Sequence, residues 1–165
     1  MPASKHHMSI TNLLTLIFFI GISQLAGIVG SVFTRNAIPT WYADITLPTF
    51  APPNWIFAPV WTTLFLLMGI AAFLVYKKRH TTPGTTLALL FFGVQLSLNT
   101  LWSIIFFGFQ NPGGAFIEII FLWLALLGTI ITFSRVSRTA GLLLLPYIAW
   151  VSFAGYLNYT IWMLN

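Results

Sequence analysis

Five runs in this chain are apolar enough to exclude water and long enough to cross a bilayer, which takes about 20 residues of helix. They are expected at Ile10–Phe33, Trp55–Tyr76, Thr85–Gly108, Ala115–Phe133 and Thr139–Leu164. The 165 residues are 58% hydrophobic and 5% charged, with mean hydropathy +0.91. A soluble domain carries roughly a quarter charged residues, so the solvent for most of this surface must be lipid. Only helices and closed barrels satisfy their own backbone groups in hydrocarbon. The expected fold class is therefore an all-α integral membrane protein, a bundle of five transmembrane helices in one domain over residues 1–165. The first run is too long for the apolar part of a signal peptide and ends without a clear cleavage pattern.

The net charge of +5 does not point to nucleic acid, because the seven Lys and Arg form no single face. They cluster between the apolar runs. Lys5, Lys77, Lys78, Arg79, Arg135 and Arg138 fall on one side of the expected bundle, and Arg35 alone on the other. Cytoplasmic loops carry the excess of Lys and Arg. The N-terminus is therefore expected in the cytoplasm, with the C-terminus on the opposite side; which membrane is not specified. Trp41, Trp55, Tyr76 and Trp162 sit at expected span ends, as an aromatic belt would. His6 and His7 are left out of the fold argument, since they read equally as native residues or as a tag remnant.

One long segment is neither apolar enough to span nor polar enough to be a tail. The stretch Trp41–Trp61 holds three of the seven Trp, four of the nine Pro, and Asp44, one of only two acidic residues. Its loop portion runs from Arg35 to Asn54. Proline stiffens such a loop, and Trp offers a flat apolar face with one polar N–H. The segment reads as a lid over a pocket built by the helices that follow, with Asp44 as an acceptor that shapes the turn.

Much conventional chemistry is missing. There is no Cys, and all three His lie outside the apolar runs. No Ser/His/Asp or Cys/His set exists within the spans, and no phosphate-cradling Gly loop is present. The expectation is no metal site, no cofactor and no conventional enzyme.

Polar residues inside hydrocarbon need partners or a cavity. Gln95 and Asn99 share a face of the third span, extended by Trp102 and Ser103. Gln95 reads as an interhelical hydrogen bonder; Asn99 reads equally as that or as a ligand contact. Tyr147, Trp150, Ala154 and Asn158 form a stripe on the fifth span, where Pro146 frees a carbonyl at Leu142. Phe57, Trp61, Leu64 or Phe65, and Met68 form another on the second, with Pro59 expected to kink it. Aromatic stripes are more often core than site, but two beside an aromatic loop favour a flat, aromatic ligand. Small residues from Ser23 to Ser31, and Gly93 with Ser97, suit close helix packing, within the bundle or across a dimer. Glu118 is the sole carboxylate within a span. It is expected at the membrane interface, near the helix N-terminus.

The pattern Trp41-Tyr42, Leu47-Pro48, Pro52-Pro53-Asn54-Trp55, Pro59-Val60-Trp61 resembles the translocator protein family, also called tryptophan-rich sensory proteins or peripheral-type benzodiazepine receptors. The likeness continues through Gln95 to Ser103, and resumes at Leu145-Pro146-Tyr147, Trp150, Phe153-Ala154 and Leu157-Asn158-Tyr159. It implies a five-helix bundle, usually a homodimer, that binds porphyrins such as protoporphyrin IX and synthetic isoquinoline carboxamide and benzodiazepine ligands. The family's pocket positions fall on Trp41, Tyr42, Trp61, Asn99, Trp102, Trp150 and Ala154; the stripe adds Tyr147. Some bacterial members are reported to degrade protoporphyrin in light, and the implicated Trp positions match Trp61 and Trp150. One motif departs. Animal members carry a C-terminal Leu/Val–Tyr–Lys/Arg sterol motif, whereas Tyr159 is followed here by Thr160-Ile161-Trp162-Met163-Leu164-Asn165, with no basic residue.

Three functions compete on these grounds: a tetrapyrrole binder that senses, buffers or moves porphyrin; a light- and oxygen-dependent porphyrin-degrading protein; and a lipid or sterol carrier. Metal-free porphyrin is favoured over haem, because haem iron is held by His, Cys, Met or Tyr; there is no Cys, the His lie outside the spans, and Met68 and Tyr147 remain as weak candidates. The Lys/Arg distribution yields a direct test of topology: reporters fused at the two ends should report opposite sides of the membrane. Both ends on one side would eliminate five spans.

Overall fold

The computed structural model describes residues 9–165; Lys5, His6 and His7 lie outside the described residues. Among the described residues every regular element is helical: α1 (Ile10–Ala37), the short α2 (Trp41–Asp44), α3 (Asn54–Tyr76), α4 (Thr85–Ser103) continuing into a π-helical turn (Ile104–Gly108), α5 (Pro112–Val136), α6 (Arg138–Leu142) and α7 (Leu145–Leu164). Five helices are long and apolar enough to cross a membrane, the fifth being α6 and α7 together. The chain is an integral, multi-pass membrane protein.

Local chemistry sets the ends. Ser9 caps α1 by accepting from the Asn12 N–H at 3.2 Å. Gly84, at φ 84°, makes the left-handed turn into α4, a conformation open to glycine. Asn111 Oδ1 accepts from the Gly114 N–H at 2.9 Å, and Pro112 occupies the first turn of α5, where its missing N–H costs nothing.

Three expectations are corrected. The loop assigned to Arg35–Asn54 begins later, because α1 runs on to Ala37 and α2 interrupts the loop. Pro146 does not lie within a continuous helix. The chain breaks at Leu143–Leu144, and Pro146 sits in the first turn of α7, where a proline needs no donor. Glu118 faces the bundle interior, not the lipid headgroups. Six residues into α5, its side chain is buried, and both carboxyl oxygens are sealed without a hydrogen-bond partner.

Lipid removes the hydrophobic drive between helices, leaving close packing to hold them together. Leu14, Phe18, Leu25, Val32, Leu90, Val94, Phe121 and Leu124 face outward. Inside, one apolar cluster joins Phe19, Phe65, Met68, Phe92, Leu126, Phe133 and Tyr147. A second, next to the Trp-rich loop, joins Tyr42, Phe106, Ala115, Leu157 and Ile161. Two of the small residues of α1 are spent inside the bundle: Gly27 receives the Phe65 ring, and Gly30 faces Ser103. Gly69 lets α3 press on the backbone of α1, where an added Cβ would stand 2.5 Å from the Ile20 Cα. Backbone cannot yield as a side-chain tip can. Gly69→Ala is therefore expected to cost roughly 1–3 kcal/mol, the usual range for overpacking. Gly21→Ala, with nothing within 4 Å, should be neutral. Thermal unfolding of both variants in detergent checks this.

Candidate functional site

Where the two clusters meet, α1, α3, the α4 end, α7 and α2 enclose a cavity of about 420 Å³. Small-molecule sites run from about 300 to 1,000 Å³. Of the residues singled out from the sequence, Tyr42, Trp61, Asn99, Trp102, Trp150 and Ala154 line it. Trp41 and Tyr147 do not.

The aromatic wall comes from two helices. On α3, Phe57 and Trp61 are one turn apart; on α7, Tyr147 and Trp150 are. Phe57 meets Trp150 edge to face at 6.0 Å, and Trp61 meets Tyr147 likewise at 6.0 Å. The two stripes therefore face each other and touch, making one continuous surface, and Tyr147 lies behind it, fully buried. Such edge-to-face pairs contribute about 0.5–1.5 kcal/mol each beyond burial, so the wall is stiff.

Asn99 resolves its two readings by doing both. Its Nδ2 donates to the Tyr147 hydroxyl oxygen at 2.8 Å, while its side chain borders the cavity. Gln95, one turn away, donates to the Met68 sulfur at 3.5 Å, and its Oε1 is sealed without a partner. Neither Met68 nor Tyr147 is part of the cavity lining, so neither of the two iron-ligand candidates faces it.

Trp102 is held from both sides. Its ring stacks on Phe106 at 5.1 Å and 23°, and its indole N–H donates to Asn158 Oδ1 at 3.0 Å. Asn158 Nδ2 donates in turn to the Pro112 carbonyl at 2.7 Å. One amide thus ties α4, α5 and α7 together beside the cavity. The Trp150 indole N–H, by contrast, is sealed without an acceptor.

The lid is Tyr42, not Trp41. Tyr42 packs on Phe106 at 6.3 Å and Phe107 at 5.7 Å and closes the end of the cavity. Trp41 buttresses it from outside the cavity, against Phe106 at 5.6 Å. Burial pushes the Tyr42 phenol above its ordinary pKa, so at neutral pH it remains a neutral donor. The loop beyond is latched to α7. Thr46 N–H donates to Asn165 Oδ1 at 2.9 Å, Asn165 Nδ2 donates back to the Thr46 carbonyl at 3.1 Å, and Phe50 stacks on Tyr156 at 5.2 Å.

Arg35, expected from the sequence near the acidic groups of a ligand, borders the cavity; sequence reasoning missed Gln24 and Ser31 on the same helix, and Phe106 and Phe107. Gln24 carried a signal, as an amide in the middle of the first span. The two Phe carried none, because the π turn that presents them has no clear sequence mark. Asp44 and Glu118 are both absent from the lining.

The TspO/MBR family model matches residues 19–163. A tryptophan-rich protein TspO of Chlorobaculum tepidum is 43% identical over 93% of this chain and 97% of its own length. Protein CrtK of Rhodobacter capsulatus is 37% identical over 96% and 95%. The human translocator protein is 37% identical over 86% and 85%.

The Asn99–Tyr147 bond offers a test of the wall. Interhelical hydrogen bonds in membranes contribute about 0.6 kcal/mol on average and reach about 1.7. Tyr147→Phe and Asn99→Leu should each destabilise the bundle, and the double variant should fall short of their sum by about that coupling. Unfolding of the four proteins in detergent measures it.

Proposed function

The chain belongs to the TspO/MBR family, and from that membership and the chemistry of the cavity we propose that it is a membrane tetrapyrrole-binding protein. Its ligand is protoporphyrin IX or a close relative, which it senses, buffers or moves, with tetrapyrrole metabolism as the process it regulates. The observation that carries this reading is the composition of the cavity. Phe57, Trp61, Trp102, Phe106 and Trp150 supply flat apolar faces, Asn99 a polar edge, and Arg35 a cation at the rim, with no carboxylate among the lining residues. That suits a planar, largely apolar ring with anionic groups at one edge. The ring stacks on the α3/α7 wall, and its propionates stay near Arg35, because burying carboxylates in hydrocarbon is costly.

Isoquinoline carboxamide and benzodiazepine compounds are proposed to compete for the same wall. The orientation read from Lys and Arg places the Trp-rich loop outside the cytoplasm. A homodimer is proposed through the outer face of α4, where Leu90, Gly93, Val94 and Ser97 form a shallow groove and a Cβ on Gly93 would meet nothing within 4 Å.

A second reading, light- and oxygen-dependent porphyrin degradation, is favoured by one observation: Trp61 and Trp150 both border the cavity, where an excited ring would reach them. The sterol-carrier alternative has no comparable support.

Fluorescence titration of the purified protein with protoporphyrin IX tests the proposal. Trp150→Leu should weaken binding by about tenfold, equivalent to roughly 1.4 kcal/mol. Haem should bind no tighter than the metal-free ring and give no protein-ligated spectrum. A Soret shift abolished by Met68→Leu or Tyr147→Phe would make the protein a haem carrier. Under illumination, bleaching with a defined product supports degradation, and reversible quenching supports binding alone.

A further inference from the structure

The residues that border the cavity divide sharply by exposure. Those from α4, the π turn, α7 and α2 are all buried or half-buried. The exposed ones are six: Ile28, Ser31 and Arg35 on α1, and Asn54, Ala58 and Thr62 on α3. They lie on the facing edges of two antiparallel helices, so the cavity has one mouth, a slot between α1 and α3.

The slot has a defined floor and top. Lower down, Gly69 brings α3 onto the α1 backbone at Ile20, Gln24 Nε2 donates to the Thr62 carbonyl at 3.0 Å, and Gly27, highest of the three on α1, receives Phe65. From Gly27 to Arg35 is eight residues of helix, about 12 Å at 1.5 Å per residue. Ile28 flanks the slot at 59% exposure, Leu25 and Val32 stand beside it on α1 at 61% and 57%, and Trp55 stands near its upper end at 73%. That rim is apolar and faces hydrocarbon. Ser31 and Thr62 turn their hydroxyls onto their own helices, donating to the Ile28 and Ala58 carbonyls at 2.7 and 2.8 Å, so charged and amide groups stand exposed only at the top, at Arg35 and Asn54.

Towards the aqueous end the cavity is lined by the half-buried Ile38 and the buried Tyr42, and the loop is fastened to α7 by the paired Thr46–Asn165 hydrogen bonds and the Phe50–Tyr156 stack. A molecule arriving from water would have to break these contacts. One dissolved in the membrane would not.

We infer that the α1–α3 slot is the passage to the cavity, and that the ligand is drawn from the lipid phase: a planar amphiphilic acid that slides in edgewise, apolar body first. Its acidic groups trail at the level of Arg35, where the head of a membrane-dissolved acid already sits. This rests on reading the cavity as the porphyrin site, and it assigns the bilayer, not the aqueous compartment, as the source. It also makes Ser31 and Ala58, at mid-slot, determinants of the thickness of what passes.

The absence of cysteine allows a clean test. A Ser31→Cys/Ala58→Cys variant, joined by a short bifunctional thiol reagent, staples the slot. A Thr46→Cys/Asn165→Cys variant, joined in the same way, locks the lid. Each is reconstituted in vesicles and compared with itself before joining, which removes any effect of the substitutions on folding. Transfer of protoporphyrin IX from donor vesicles is followed by quenching of Trp fluorescence. Stapling the slot should slow both uptake and release by about tenfold or more, as a closed gate does, and leave the affinity of preloaded protein unchanged. Locking the lid should alter neither rate. Unchanged rates in the stapled protein, or slowing by the lid lock in its place, would overturn the passage while leaving the binding site intact. No binding before any joining would instead overturn the porphyrin site itself.

Discussion

A peptide group left unpaired in hydrocarbon costs several kcal/mol, and this single penalty governs where the chain can be irregular. The breaks are few, and each is repaired locally. The π turn closes with the Phe109 N–H donating to the Ile104 carbonyl at 2.9 Å. The break before α7 is spanned by the Leu144 N–H on the Gly141 carbonyl at 3.1 Å. The same penalty explains why the polar side chains near the cavity act in pairs. Asn99 with Tyr147, and Trp102 with Asn158 and the Pro112 carbonyl, leave little of their bonding capacity open. Specificity is then left to shape, to ring faces and to one cation at the rim.

The spans were legible because they are written in composition, which survives any arrangement of the helices. Trp61, Trp102 and Trp150 were legible because large rings at helical spacing mark one face, and the resemblance named them. Their roles were less so. Trp41 and Tyr42 are adjacent in sequence, yet only Tyr42 closes the cavity, because α2 turns one ring inward and leaves the other against Phe106. Nothing in the order of the residues says which. Pro146 reads as lying inside the fifth span because a run of apolar residues continues past it; the break at Leu143–Leu144 carries no Gly or polar residue to announce itself. Apart from Arg35, the α1 side of the cavity escaped because its small residues read as packing. Gly27 and Gly30 do pack, while Ser31, one step on, borders open space.

Besides the Trp150 N–H at the cavity, buried polar atoms without a partner remain outside the lining: the Gln95 Oε1 and both oxygens of Glu118. Native interiors bridge such groups with internal water, and the intramembrane position of Glu118 makes it expensive to keep. Its surroundings are those of the bundle core, separate from the cavity lining. Whatever keeps a carboxyl there acts on the packing of α5, and only through that packing on the ligand wall.

The π turn at Ile104–Gly108 also acts as a phase shifter. Before it, α4 must present Asn99, Trp102 and Ser103 to the cavity. After it, Asn111 must cap α5 and Pro112 must offer its carbonyl to Asn158. A regular helix of the same length would satisfy one of these settings and rotate the other away. The extra residue absorbed in the wide turn lets both hold at once, and it brings Phe106 and Phe107 to the cavity. The length of this segment is therefore a coded quantity. Loss of a single residue here, with every side chain of the wall intact, would turn α5 out of register with α7 and dismantle the site without removing any of its residues.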